Sequence, residues 1–435
     1  MEFGKHLNKG IWGAADKALP VVYGFGYVVL VIRVLPKEEF GNFVLIQELF
    51  LIISGLAMAF ALQPLLKFAA EERPDRAEII SAALFLNILF VIVFSVLSVV
   101  VRRPLGEVLN STAFGDLMLY MPALLLASLI RNFSLTLLQT RFMMQQVFWT
   151  DAAHFLGAVL LITLYNIYGA FDSALDLIII NLISLSLSSL IGLVFVRSWI
   201  RISLKPHRKS LLLLWNYGKY SLGSLTSFFV YTKVDSFFLS AFSGPVQVAV
   251  YNSVKVFLRI FDTMAQVIQM FILPATSRIS ARGEWSTLKI VAEKSISFAT
   301  LGLLPVFFLF LFFPSALLTL IGEQYADAIL FIQIFSVLAL ITPLYAVAAN
   351  ILMGLGHAKS LFYLSMQLLV VSVLFYMILI PRLGALGATL GYVGASLFLT
   401  WTTARTLQRY VPVTLKEVVG RTHDVKQFIR SRLVK

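Results

Sequence analysis

No cysteine occurs among the 435 residues, so disulfides, thiolate nucleophiles and cysteine-held metal centres are excluded. Charge is also scarce. Only 13% of residues are charged, 59% are hydrophobic, and mean hydropathy is +0.88, which excludes an ordinary soluble domain. Acidic side chains are the rarer sign, 22 against 35 lysines and arginines, for a formal net charge of +13. The chain has no phosphate loop, no nucleophile spaced to meet a base, and only scattered histidines, five in all. It therefore reads as a protein that is not an enzyme and needs no cofactor or metal. Without a nucleotide-binding domain, an ATP-driven pump is excluded too.

What is present is length of apolar chain. Crossing about 30 Å of hydrocarbon takes roughly 20 apolar residues in a helix. Such windows fall at about 11–32, 43–66, 79–101, 117–140, 147–165, 175–199, 219–241, 246–273, 290–318, 326–350, 361–380 and 383–407. Runs this long suit helices and not the alternating strands of an outer-membrane barrel, so the fold class is all-α polytopic membrane protein with twelve transmembrane helices. The opening "MEFGKHLNKG" runs into the first span without a small-residue cleavage site, which predicts a retained helix and no removed signal peptide. The positive charge could have pointed to nucleic acid. Its distribution explains it otherwise: with the N-terminus inside, 24 of the 35 lysines and arginines fall in inner segments and five in outer loops. That bias places both termini in the cytoplasm and predicts no nucleic-acid partner.

The longest basic linker, "RSWIRISLKPHRKS", lies near the middle and divides the spans into two sets of six. Short stretches recur in the same order in both sets: "LPKEEFGNF" with "SGPVQVAVY", "LLQTRF" with "LMGLGH", and "YGA" with "LGA". Six is even, so the halves share one orientation, a parallel repeat about an axis along the membrane normal. The predicted domains are an N-terminal six-helix lobe over 1–205, a C-terminal six-helix lobe over 206–409, and a basic cytoplasmic tail over 410–435. In the tail, "TLKE" has capping-box spacing, and Val425, Phe428, Ile429 and Leu433 share a face, as in an amphipathic surface helix.

The stretches "RVLPKEEFGNFVL", "YTKVDSFFLSAFSGPVQVAVYNSVKVFLRIFDTMAQVIQMFILPATSRI", "MGLGHAKS" and "IPRLGALGATLGYVGA" resemble the Wzx-like polysaccharide and oligosaccharide flippases of the multidrug/oligosaccharidyl-lipid/polysaccharide (MOP) exporter superfamily. The resemblance covers about 11–409. It departs at Leu35-Pro36-Lys37, where glycine-proline is usual, and at Ala249, where glycine is usual. It implies two six-helix lobes around a central cavity that opens alternately to each side of a bacterial cytoplasmic membrane. The implied cargo is an undecaprenyl-pyrophosphate-linked oligosaccharide, with membrane lipids around it. Other polysaccharide-assembly proteins are expected partners, and H+ or Na+ an expected coupling ion.

Ionisable groups inside spans cost roughly 2.5 to 3.5 kcal/mol each on insertion scales, so they face a cavity or a partner. Lys255, Arg259 and Asp262 are spaced as one stripe on a helix, and Lys233 on the preceding span reaches a comparable depth. Lys233, Lys255 and Arg259, with Lys17 near the inner end of the first span, are the expected substrate-binding cations, suited to a pyrophosphate. Asp235 lies about 200° round the helix from Lys233, so the two are not expected to pair. Arg131 with Asp151 or His154 reads as a structural lock. Glu48, Asp16, Asp235, Asp262 and His154 remain candidates for ion coupling or for interhelical ion pairs. The alternatives are a cation-coupled multidrug exporter or a lipid II flippase of the same superfamily, and a membrane scaffold or polymerase of the pathway. A basic cavity disfavours organic cations, and a polymerase should carry a large outer loop.

Overall fold

The computed structural model describes residues 12, 15–16, 18–20, 23–24, 29–71, 74–169, 171–198, 200 and 207–423. Among them every regular element is helical. The helices are α1 (Lys37–Ala70), α2 (Arg76–Val108), α3 (Thr112–Thr140), α4 (Met144–Ile167), α5 (Ala174–Val196), α6 (Arg208–Lys255), α7 (Arg259–Ala281), α8 (Trp285–Phe312), α9 (Pro314–Ile321), α10 (Ile329–Phe335), α11 (Leu338–Gly354), α12 (Ala358–Leu383), α13 (Ala385–Gln408) and α14 (Leu415–Gly420).

Eight helices among the described residues are long and apolar enough to cross a membrane, or nine if the pair Glu323–Phe335 and Leu338–Gly354, bent by 46°, is one span. The sequence predicts twelve, and particular residues account for the difference. The first span is described only in part, though helical at 29–34. Spans seven and eight follow one another so tightly at Gly244 and Pro245 that they run together. In α13, glycine, alanine and threonine dilute the apolar content.

Two compact units form, Met1–Ala249 and Val250–Lys435. The sequence puts its division at the basic linker, whereas compactness puts it after Ala249, because α6 up to the Gly244 kink packs on α1. The cause lies in α1. Pro64 has no N–H to give the carbonyl of Phe60, and the helix absorbs the lost bond as a π turn over Met58–Leu62. Gly218 of α6 sits against that carbonyl: a Cβ there would lie 2.1 Å from the Phe60 oxygen. Gly55 likewise admits the ring of Phe229, and Trp215 meets Phe60 edge-on at 5.3 Å.

One end of the first unit is tied by polar bonds. Ser111 caps Phe114 and donates to Asn42 Oδ1 (2.6 Å), Asn110 donates to the Ala241 carbonyl (2.6 Å), and Glu39 accepts the Ala174 N–H (2.8 Å). Gly244 has φ 78°, a conformation costly for residues with a Cβ, and the adjoining Pro245 carbonyl presses on Gly41. These are the paired turns in which the sequence repeat is visible.

In the second unit α12 and α13 cross closely. A Cβ on Gly387 would lie 2.3 Å from the Leu379 carbonyl oxygen, and one on Gly391 would meet the Tyr376 ring at 2.8 Å. Small residues four apart thus give α13 its packing face. The tail's capping box forms: Thr414 and Glu417 exchange side-chain and backbone bonds and start α14. Residues 424–435, with the apolar stripe expected from Val425 to Leu433, lie outside the described residues.

Candidate functional site: the buried charges

The first unit gathers most of the charges singled out in the sequence. Glu48, in the middle of α1, is buried, and its Oε1 accepts from Lys233 Nζ of α6 at 3.2 Å; the two side chains are 6% and 26% exposed. Lys233 therefore has a carboxylate partner in its own unit. Asp235, two residues on in the same helix, is fully buried. Its Oδ1 accepts the N–H of Ser236 at 2.9 Å. Asp16 is also buried, while Lys17 lies outside the described residues.

A second polar centre joins α3, α4 and α5. Arg131 makes a short ion pair with Asp151, donates from Nε to Ser188 Oγ at 3.1 Å and from a terminal nitrogen to Asn132 Oδ1 at 3.2 Å, and stacks on Phe155. Asn132 continues to Ser54 of α1 at 3.1 Å. Of the two acids and bases offered to Arg131 by the sequence, Asp151 takes the contact, and His154 bonds Ser184 Oγ through Nδ1 at 3.1 Å. Tyr23 of the first span lies against His154 and Phe155. The centre holds four helices to one another.

In the second unit, Lys255 is half-buried with its ammonium over two rings, Tyr251 at 5.2 Å and Tyr392 of α13 at 5.8 Å. Both tyrosines pack against Phe335. Aromatic faces attract a cation through the ring quadrupole, so the two tyrosines favour an ammonium at this position. Arg259 and Asp262 are exposed at the first turn of α7. The stripe expected from spacing is twisted, because Val256–Leu258 form a 3-10 turn between Lys255 and Arg259. At three residues per turn instead of 3.6, that segment carries Arg259 about 60° further round than a continuous α-helix would.

Sequence reasoning missed one cluster. Buried Glu293 of α8 accepts from Arg421 Nε at 3.0 Å and lies 3.7 Å from Lys289, which in turn bonds Glu417 at 2.6 Å. The bonds from Lys289 and then from Thr414 hold the Glu417 carboxyl below its ordinary value. The network fastens α14 to α8. The signal was available in part, since Lys289 and Glu293 are four apart and the capping box fixes Glu417.

Comparison with known proteins decides the family. The polysaccharide biosynthesis protein family matches residues 17–280. This chain belongs to the polysaccharide biosynthesis family. Two uncharacterized membrane proteins of Methanocaldococcus jannaschii are 25% identical to this family member: one over 358 residues, 78% of this chain and 81% of that one, the other over 203 residues, 45% and 39%. The chain thus spans well under half the length of the second of these relatives. Among solved structures, the lipid II flippase MurJ in an inward closed conformation has a TM-score of 0.76 at 12% identity, covering 95% of this chain and 90% of that chain. An inward-facing multidrug resistance transporter of the MATE family, in the MOP superfamily, has a TM-score of 0.71 at 15% identity, covering 92% and 98%. At these identities the likeness is one of fold. The family member is an all-helical, multi-pass membrane protein with the MOP transporter fold, in agreement with the resemblance read from its sequence.

Proposed function

We propose that this protein is a flippase that moves a polyprenyl-pyrophosphate-linked oligosaccharide across the membrane by alternating access, undecaprenyl pyrophosphate being the carrier in the bacterial cytoplasmic membrane that the resemblance implies. The observation that carries the reading is Lys255, a half-buried ammonium within a membrane helix held over the Tyr251 and Tyr392 rings, with Arg259 exposed one turn further on. A pyrophosphate crossing hydrocarbon needs mobile-water solvation replaced by fixed positive charge. A ring-held ammonium and an exposed planar guanidinium supply it. In this reading Lys233 and Lys17 assist the same passage, and Glu48, Asp235 and Asp262 are the carboxylates through which H+ or Na+ could drive the return. Membership of the polysaccharide biosynthesis family supports an oligosaccharide cargo.

The test is export of a lipid-linked oligosaccharide in a strain lacking this gene and any redundant flippase. Charge-neutral Lys255→Gln and Arg259→Gln should abolish export while protein levels stay intact. Unimpaired export by both variants would refute the cationic path. Normal surface glycan in the deletion strain with new drug sensitivity would assign the protein to multidrug export, and stranded peptidoglycan precursor would assign it to lipid II.

A further inference from the structure

A further polar site lies on the helix pair α12 and α13. A cavity of about 390 Å³ is lined by residues including Ser360, Tyr363 and Gln367 of α12 and Trp401, Arg405 and Arg409 of α13. Trp401, Arg405 and Arg409 recur every four residues, so they share one face of α13. The guanidinium of Arg405 lies over the Trp401 ring, 4.1 Å from its centroid. Stacking fixes the plane of the guanidinium and leaves its edge donors able to meet oxygen ligands.

No carboxylate is among the residues lining the cavity. Two guanidinium groups therefore share a small volume with hydroxyl and amide donors, a set that matches the oxygens of a phosphate ester. The surroundings match a lipid. Exposed Val370 and Leu374 continue along α12 beyond the cavity, and Trp401 is half-exposed beside the arginines. An indole next to arginines at the end of a membrane helix marks the interface of hydrocarbon and headgroups. Basic pockets between helices on the cytoplasmic side are suited to anionic headgroups. The positive-inside count puts Arg405 and Arg409 on that side.

We infer that this cavity binds the phosphate of an anionic glycerophospholipid from the cytoplasmic leaflet, with the acyl chains lying along the exposed apolar face of α12. The occupant is a lipid of the bilayer and not the oligosaccharide carrier.

Native mass spectrometry of the purified full-length protein tests this with four probes: dioleoyl-phosphatidylglycerol, dioleoyl-phosphatidylcholine, undecaprenyl phosphate and inorganic phosphate. Phosphatidylglycerol should bind in preference to phosphatidylcholine. The R405Q/R409Q variant should weaken phosphatidylglycerol about thirtyfold and leave phosphatidylcholine unchanged. R409Q alone keeps the stack on Trp401 and should weaken it about fivefold, so the inference stays testable if the double variant fails to fold. R382Q, at the opposite end of α12, should change nothing. Equal phosphatidylglycerol binding by R409Q and the parent protein would overturn the inference. So would displacement of phosphatidylglycerol by equimolar undecaprenyl phosphate, or by millimolar inorganic phosphate.

Discussion

Removing the ammonium of Lys233 should leave the buried Glu48 carboxylate without its partner, and the cost can be worked out from the geometry. At 3.2 Å and an effective dielectric of about 20, the pair is worth roughly 5 kcal/mol before desolvation. Breaking a fully buried pair by deleting one member costs about 3–5 kcal/mol. Here Glu48 is 6% exposed but Lys233 is 26% exposed, so water already screens part of the interaction. A cost of about 2–3 kcal/mol is expected for Lys233→Gln. Glu48→Gln should cost less, about 1 kcal/mol, because the partly exposed ammonium can turn to water. The double variant should recover much of the loss, giving a coupling of about 2 kcal/mol in a double-mutant cycle. Reversible unfolding of the detergent-solubilised protein in sodium dodecyl sulfate measures all three variants. Strictly additive single effects would refute the ion pair as a stabilising contact. The same variants divide two roles for Lys233. A purely structural lysine predicts a double variant that transports normally, whereas a lysine that also meets the pyrophosphate predicts a stable double variant with impaired export.

Arg131→Gln should destabilise the first unit by about 2–4 kcal/mol, because it strands the partly buried Asp151 and releases Ser188, and adding Asp151→Asn should restore part of that loss in the same unfolding assay. Gly41→Ala sets a methyl 1.9 Å from the Pro245 carbonyl oxygen, so about 1–3 kcal/mol of stability should be lost, with expression and thermal unfolding as the readouts. Docking of α14 should depend on pH through Glu417. Its folded pKa is depressed from an ordinary 4.5 by the bonds from Lys289 and Thr414, so its contribution is complete above that value and disappears as pH falls through the lower folded one. Proteolytic release of the tail should therefore rise in acid, and Glu417→Gln should remove the pH dependence.

The architecture was legible where physics acts locally along the chain. Long apolar runs must form helices in hydrocarbon, since each buried backbone group needs a partner within its own segment. The glycine spacing of α13 and the capping box at Thr414 follow from local spacing along a helix, and the structure shows both. Partner choice was less legible. Estimated depth groups Lys233 with Lys255 and Arg259, and the structure adds Glu48, distant in sequence, as its carboxylate partner. Spacing aligns the Lys255 stripe only on an unbroken α-helix, and a 3-10 turn rotates it. The π turn that seats Gly218 depends on Pro64 and a facing helix together, which no window of sequence displays.

By itself, the sequence determined that this chain is an all-helical membrane protein, which way its basic loops bias it, and which ionisable groups lie within spans, because hydropathy, charge asymmetry and helical period are properties of consecutive residues. Only the tertiary structure decided that Glu48 answers Lys233, that Asp151 answers Arg131, that two tyrosine rings hold Lys255, and that Arg405 stacks over Trp401 in the lining of a basic cavity. Those pairings join different helices or positions along one helix. They are set by which helices approach closely, and close approach depends on small residues and irregular turns acting from both sides at once.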